Sequence, residues 1–141
     1  MNNDARVKLI LELEHLLRHK PAMGALFMTV RETPYMLVVT QKDGMVSLGY
    51  PHMGWLDVVR AHRFASFCQA RGFRVRKELW WKTRMSCALI GAGATDAAQT
   101  IAECFSSVYR VSGPFGVNLQ GFGWQPSDNG GTFSLRPDGG R

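Results

Sequence analysis

The sequence predicts an α+β protein in which helices pack on an antiparallel sheet. Three segments, residues 4–20, 55–71 and 95–110, have apolar residues at every third or fourth position, which is the spacing of amphipathic helices. Short apolar runs bounded by turn residues lie between them and are typical of strands. The predicted order is helix, three strands, helix, two strands, helix. We expect a single domain over residues 1–124, because 141 residues suit one core.

The first half of the chain begins with the helix over residues 4–20, which Pro21 ends because proline lacks a backbone N–H. Three strands are predicted at residues 23–30, 35–40 and 45–50. The last two are joined by a tight turn, since Asp-Gly tolerates the positive φ angles that hairpins need. Together they form a meander.

The second helix covers residues 55–71, with Gly72 as its C-cap. At 100° per residue, its apolar side chains gather on one side, which we expect to face the core: Val58, Ala61, Phe64, Ala65 and Cys68. A second arc carries three guanidinium groups and one aromatic ring: Arg60, Arg63, Phe67 and Arg71.

Two strands follow, at residues 73–77 and 85–90, with a hairpin near 80–83. The first alternates apolar and basic residues, which predicts a half-buried strand with a cationic outer side. The third helix begins at Thr95, taken as its N-cap.

The C-terminal part has weaker patterns. Residues 115–119 alternate and predict a short edge strand, and residues 125–141 hold four glycines and two prolines. We expect this last stretch to be a flexible tail.

The positive charge is concentrated in one part of the chain. Residues 60–84 contain eight basic residues and one acid, Glu78, whereas the whole chain has a net charge of +6. Clustered charges favour an anionic partner, although a solvated basic face is the alternative. Trp80 and Trp81 lie in the same stretch and point to opposite faces if they are in a strand. Tryptophan beside arginine suits both base stacking and a protein interface.

Catalytic and metal-binding motifs are missing from the sequence. It has no G-x-S-x-G, C-x-x-C or P-loop pattern, and its three cysteines are far apart. We therefore expect no enzyme, no metal site, no cofactor and reduced core cysteines. No apolar run reaches the ~20 residues of a membrane span, and the N-terminus is not typical of a signal peptide. The expected location is the cytoplasm.

The predicted order of elements resembles that of the type III secretion chaperone-like fold, which occurs in secretion chaperones and other small bacterial proteins. The resemblance covers residues 4–110, and its closest local feature is the passage Phe-Ala-Ser-Phe-Cys-Gln-Ala-Arg-Gly-Phe at residues 64–73. It implies a homodimer that binds an extended segment of a partner protein. Those chaperones are typically acidic, whereas this chain is basic.

The first half alone also has the element order of a double-stranded RNA-binding domain. Such domains carry a lysine cluster at the start of the second helix, where this chain has Asp57 and no lysine. We rank this resemblance lower.

Two functions follow as expectations. The first is a homodimeric module that binds a partner protein. The alternative is a protein that binds nucleic acid or another polyanion through the basic face. The candidate binding residues are Arg60, Arg63, Phe67, Arg71, Arg74, Arg76, Trp80, Trp81, Lys82 and Arg84.

Overall fold

The described residues of the chain form three helices and one seven-stranded antiparallel sheet, and the predicted α+β class is confirmed. The computed structural model describes residues 2–19, 25–52, 57–80, 83–111, 115–122 and 132–135. The helices are α1 (Asn2–His19), α2 (Val58–Ala70) and α3 (Ala94–Tyr109). The strands are β1 (Ala25–Val30), β2 (Met36–Lys42), β3 (Met45–Pro51), β4 (Val75–Trp80), β5 (Thr83–Gly91), β6 (Phe115–Phe122) and β7 (Thr132–Leu135).

The order of strands across the sheet is β4-β5-β3-β2-β1-β6-β7. The meander β1–β2–β3 forms as predicted. The hairpin β4–β5 then docks through β5 on β3, and β6 docks on β1. Among the described strands, β4 and β7 are therefore the two edges of the sheet.

All three helices cover the same face of the sheet, which we call the helix face. Alternate residues of the inner strands, such as Leu26 and Leu48, join one buried cluster with Leu13 of α1, Phe64 of α2 and Phe105 of α3. Because side chains alternate along a strand, the residues between them point to the other face. Burial of this apolar surface is the main stabilising contribution to the fold.

The other face of the sheet carries a second, smaller cluster, and we call it the open face. Its buried members come from strands alone: Ala25, Val38, Met85 and Cys87. Gly49 lies among them, and a Cβ atom there would lie 3.3 Å from the sulfur of Met85. The glycine thus leaves room for Met85 to pack across β3.

Three local turns lie where they were predicted, and two of them follow from turn chemistry. Asp43 and Gly44, between β2 and β3, both have positive φ angles, at 55° and 79°. The β4–β5 hairpin is closed by the pair Trp80 and Thr83, so the predicted turn position is confirmed. At the end of α2, Gly72 has φ 78°. The N–H groups of residues 72 and 73 donate to carbonyls of the last helical turn, which is a Schellman motif.

The start of α3 differs from the prediction. The N-cap is Gly93, whose extended backbone precedes the helix and whose carbonyl accepts from the N–H of Ala97 at 3.0 Å. Thr95 lies inside the first turn, so its prediction as the cap was wrong. A glycine tolerates the cap conformation without a side-chain hydrogen bond.

The C-terminal strands also differ from the prediction. The segment 115–119 was predicted as a short edge strand, but β6 is longer and lies between β1 and β7. The predicted flexible tail contains β7, which pairs with β6 from Thr132 to Leu135. Its sequence alternates polar and apolar residues, the pattern of a strand with one buried side. The other residues of 125–141 lie outside the described ranges.

Candidate functional site

The arginines of α2 are held by contacts within the protein. The guanidinium of Arg60 lies 4.7 Å from the ring centre of Tyr35 and 5.3 Å from that of Tyr109, as cation–π contacts. Arg63 donates from Nη1 to the carbonyl of Val108 at 3.2 Å, near the end of α3. These contacts join α2 to α3, so both guanidinium groups have a role inside the fold.

The ring of Phe67 is buried at 8% exposure rather than presented on an outer face. The guanidinium of Arg71 covers this ring, 4.6 Å from its centre, and pairs with Glu103 of α3. The helical wheel predicted an outward arc here, but α2 packs against α3 as well as the sheet. A helix with two packing partners buries a wider arc than one stripe.

Two further predicted residues, Arg74 and Arg76, lie at the β4 side of the open face. Arg74 is exposed just before the strand begins. Arg76 Nη2 lies 3.0 Å from Glu78 Oε2, an ion pair whose alignment does not make a hydrogen bond. The same Glu78 oxygen is 3.4 Å from Nζ of Lys42 on β2. The three charges lie near Cys87, whose pKa burial raises to about 12, helped by the charge of Glu78.

The contact between Lys42 and Glu78 shows that the sheet curls towards its open face. In a flat sheet, three strand spacings would place β2 and β4 about 14 Å apart. Lys42 pairs with Met45 of β3, whereas Glu78 is level with Pro51, so the two residues are also offset by about 20 Å along the strands, more than their side chains can span. The ion pair passes over β5 and β3. The small apolar cluster of the open face therefore lies in a concave surface.

The remaining basic side chains lie on the helix face, near the end of β3. Lys77 and Arg84 are exposed, and both charges act on His52. His52 Nε2 lies 2.8 Å from the hydroxyl of Ser86, and its ring meets the edge of Tyr50 at 5.7 Å between centres. The sequence analysis missed this group, because His52 and Ser86 become neighbours only when β3 pairs with β5.

Three tyrosines complete this end of the molecule. Tyr109 stacks on Tyr35 at 4.5 Å between centres, and its hydroxyl donates to the carbonyl of Met36 at 2.7 Å. Tyr50 hydrogen-bonds with Asp57. The pKa of the Tyr50 hydroxyl lies well above its usual range, mainly because of burial and secondly because of this hydrogen bond. Burial also raises the pKa of Tyr109 to about 12. Both hydroxyls stay neutral at physiological pH and act as structural donors.

The His52–Ser86 pair has the composition of a base and a nucleophile, and Asp57 lies close enough for its charge to act on His52, although burial holds the pKa of His52 below its usual value. A nucleophile must meet its substrate, however, and Ser86 is only 3% exposed. Among the described residues, no group of three His, Cys, Asp or Glu side chains is placed to hold a metal ion. The arrangement fits a hydrogen bond that ties β3 to β5.

We expect His52 to make the protein less stable as the pH falls. The pKa of His52 is lowered, mainly by burial and next by the positive charge of Lys77. The negative charge of Asp57 partly offsets this, and the charge of Arg84 makes a smaller contribution that lowers the pKa. The unfolded chain therefore binds more protons below the ordinary histidine pKa of 6.5, so stability declines as pH falls through that value. Urea unfolding at pH about 7.5 and about 5.5 measures the slope.

The His52→Gln variant should show a smaller pH slope than the wild type. His62→Gln is the matched control, because His62 is exposed on α2, and it should leave the slope unchanged. Equal slopes for the wild type and His52→Gln would refute this assignment.

Three of the four large apolar side chains that are exposed among the described residues lie on α2 and β4. Leu79 is 70% exposed, and Val58 and Val59 in the first turn of α2 are 69% and 60% exposed. A Schellman turn reverses the chain from α2 into β4, and α2 contacts both β4 and β5. We therefore expect the first turn of α2 to lie towards the end of β4. We call this surface the α2–β4 edge: strand β4 with the adjacent flank of α2 that carries Val58, Ala61 and Ala65.

The predicted site residues thus separate into three groups: α2, the open face of β4, and the surroundings of His52. Trp80 closes the β4–β5 hairpin through its backbone, whereas Trp81 and Lys82 lie outside the described residues. The basic residues therefore do not form one continuous face.

No helix among the described residues is long and apolar enough to cross a membrane. The chain matches no protein-family model, no curated protein and no solved structure.

Proposed function

We propose that this chain is a protein-binding module of the cytoplasm, which acts by binding rather than catalysis. It takes up an extended strand of another polypeptide at the α2–β4 edge. The observation that carries the proposal is an edge strand flanked by Leu79 and Val58, two apolar side chains that are about two thirds exposed. Exposed apolar patches of this kind mark interaction sites.

The backbone of β4 supports this mode of binding. Within the described part of the chain, β4 pairs only with β5, so every second N–H and C=O group points away from the sheet. A partner strand would satisfy these groups, and alternate side chains would set its specificity. The element order from α1 to α3 is also the one that a type III secretion chaperone-like fold implies, and the free buried cysteines suit a reducing compartment.

The second candidate is binding of nucleic acid or another polyanion. Arg74, Lys77 and Arg84 are exposed and form no ion pair with any described residue. Four of the other predicted basic residues interact with acids, carbonyls or rings inside the fold, which favours the first candidate: Arg60, Arg63, Arg71 and Arg76. A polyanion would bind mainly through counterion release and so with a steep salt dependence.

Replacing Leu79 with lysine separates the two candidates. For an edge that binds polypeptides, the added charge should weaken affinity for extended peptides by about tenfold or more, since it removes an apolar anchor. For a polyanion surface, the same lysine should strengthen binding of an oligonucleotide. The probes are an immobilised library of random peptides of about ten residues, which covers a strand, and a single-stranded DNA oligonucleotide.

The control is Leu11→Lys, the same change at a 53% exposed leucine on α1. It should bind peptides like the wild type. Hydrogen exchange should show that peptides protect the amides of residues 75–80. The proposal fails if no peptide binds, or if peptides bind Leu79→Lys as tightly as the wild type.

A further inference from the structure

We infer that the strand taken up at the α2–β4 edge carries an acidic residue between two apolar ones, in the order apolar, any residue, aspartate or glutamate, any residue, apolar. The acidic side chain would lie opposite Lys77 of β4, and the two apolar side chains would lie opposite Val75 and Leu79. This inference rests on the proposed function and names the class of polypeptide that the same site binds.

Three side chains of β4 point to the helix face of the sheet. Val75 pairs with Ala88 and packs against the main buried cluster, so Lys77 and Leu79, two and four residues later, lie on the same face. Val75 is half-buried, whereas Lys77 and Leu79 are exposed. Along its free edge, β4 therefore presents an apolar, a basic and an apolar side chain in turn.

A strand added to β4 would place its own side chains beside these three. Side chains of directly paired residues point to the same face, with Cβ atoms about 4.5–5.5 Å apart. The pattern of β4 is symmetrical about Lys77, so it reads the same to a partner strand of either direction. The partner residue opposite Lys77 then decides whether the charge on this face strengthens or weakens binding.

The positive charge of Lys77 is not neutralised within the described part of the chain. Its neighbour across the strand pair is Ser86, and Arg84, the charged residue of β5, pairs with Leu79 on the same face. Neither Lys77 nor Arg84 forms an ion pair with a described residue. Both charges act on His52, so they lie around one part of the helix face. Two cations on one surface favour a carboxylate there.

The acids that flank this site are engaged by other groups. Asp57, just before α2, hydrogen-bonds with a tyrosine hydroxyl of β3. Glu78 points to the open face, where Arg76 and Lys42 lie within 3.4 Å of its carboxylate. The acid of β4 is thus paired on the other face of the sheet and does not offset the charge on the helix face.

The apolar and acidic positions of the bound strand have different roles. Apolar residues at the outer positions would cover Leu79 and the edge of Val75, and this burial supplies most of the affinity, since an exposed ion pair contributes little. The acid supplies selectivity. A basic residue at its position would meet Lys77 at close range, and like charges directly opposite each other destabilise a strand pair.

The random peptides that bind the wild-type protein test the pattern directly. Sequencing them should show aspartate or glutamate enriched at a position with apolar residues two places away on both sides. Two synthetic peptides of about ten residues, enough to cover a strand, then measure the preference. Both contain Val-Thr-X-Thr-Leu, where X is glutamate in one and lysine in the other. At low salt, where screening is weak, the wild type should bind the glutamate peptide about fivefold to tenfold more tightly.

Lys77→Glu should reverse this preference, because its carboxylate would then face the lysine of the second peptide. Arg18→Glu is the matched control and should keep the wild-type preference. It changes the net charge equally at an exposed position of α1, the helix that contacts β7 at the other edge of the sheet. Circular dichroism checks that both variants fold. A third peptide, with serine at both apolar positions, should bind the wild type at least about tenfold more weakly than the glutamate peptide.

The outcomes separate this inference from the proposed function. If peptides bind and protect residues 75–80 but show no acidic preference, or if Lys77→Glu keeps the wild-type preference, the inference is wrong and the proposed function stands. If the serine peptide binds as tightly as the glutamate peptide and single-stranded DNA displaces both, the face binds polyanions and the inference is overturned. Failure of every peptide to bind would refute both.

Discussion

Replacing Phe105 with alanine should lower the free energy of unfolding by about 3–5 kcal/mol, the range for large-to-small changes in a packed core. Phe105 is fully buried in the main cluster, and α3 lies between α1 and α2 over the sheet. The cavity would thus open where all three helices meet the strands. Urea denaturation should show a lower midpoint with an unchanged slope.

Leu11→Ala provides the comparison, because this leucine lies on the exposed side of α1. Its effect should stay within about 0.5 kcal/mol, as for most surface substitutions. If Phe105→Ala were equally mild, the placement of α3 at the centre of the core would be wrong.

Replacing Tyr109 with phenylalanine should cost about 1–3 kcal/mol, since it leaves two partly buried backbone groups of Met36 without their partner. The Tyr109 hydroxyl donates to the carbonyl of Met36 and accepts from its N–H at 3.1 Å. The change keeps the aromatic ring and its stacking on Tyr35. The loss of stability should therefore come from the two hydrogen bonds alone. Urea unfolding measures this loss.

Tyr35→Phe is the same chemical change in the other ring of the stack. The Tyr35 hydroxyl makes no hydrogen bond within the described residues, so this variant should be nearly as stable as the wild type. A similar loss from both variants would mean that the stability comes from hydration of the pair rather than from the Met36 bonds.

Elements with local signals were predictable from the sequence. The helices followed from apolar spacing, and the Asp43-Gly44 and Gly72 turns followed from backbone conformations that few residues adopt. The position of β6 was not predictable. Asn118 and Gln120 of β6 are polar and exposed, which indicates that one face of the strand meets solvent. This pattern does not indicate whether another strand pairs with the free side of β6.

The candidate site was less predictable, because its contacts join distant parts of the chain. The α2 arginines looked free on a helical wheel, but Tyr35, Glu103 and the carbonyl of Val108 hold them. These contacts arise because α2 packs on α3, and the pattern of residues within α2 does not predict that packing. The alternation of residues 73–77 predicted the basic side of β4, whereas the strand runs from Val75 to Trp80 and its exposed Leu79 was not predicted.

The position of β6 in the sheet has a consequence for synthesis of the chain. Leu26 pairs with Gly121, so the β1–β6 ladder closes a loop of about 95 residues and forms late. Until the ribosome has released that segment, one side of β1 is a bare apolar strand with unpaired amides. Nascent chains at that stage are prone to join one another, and crowded translation of this protein should depend on chaperones that hold β1 until its neighbour arrives.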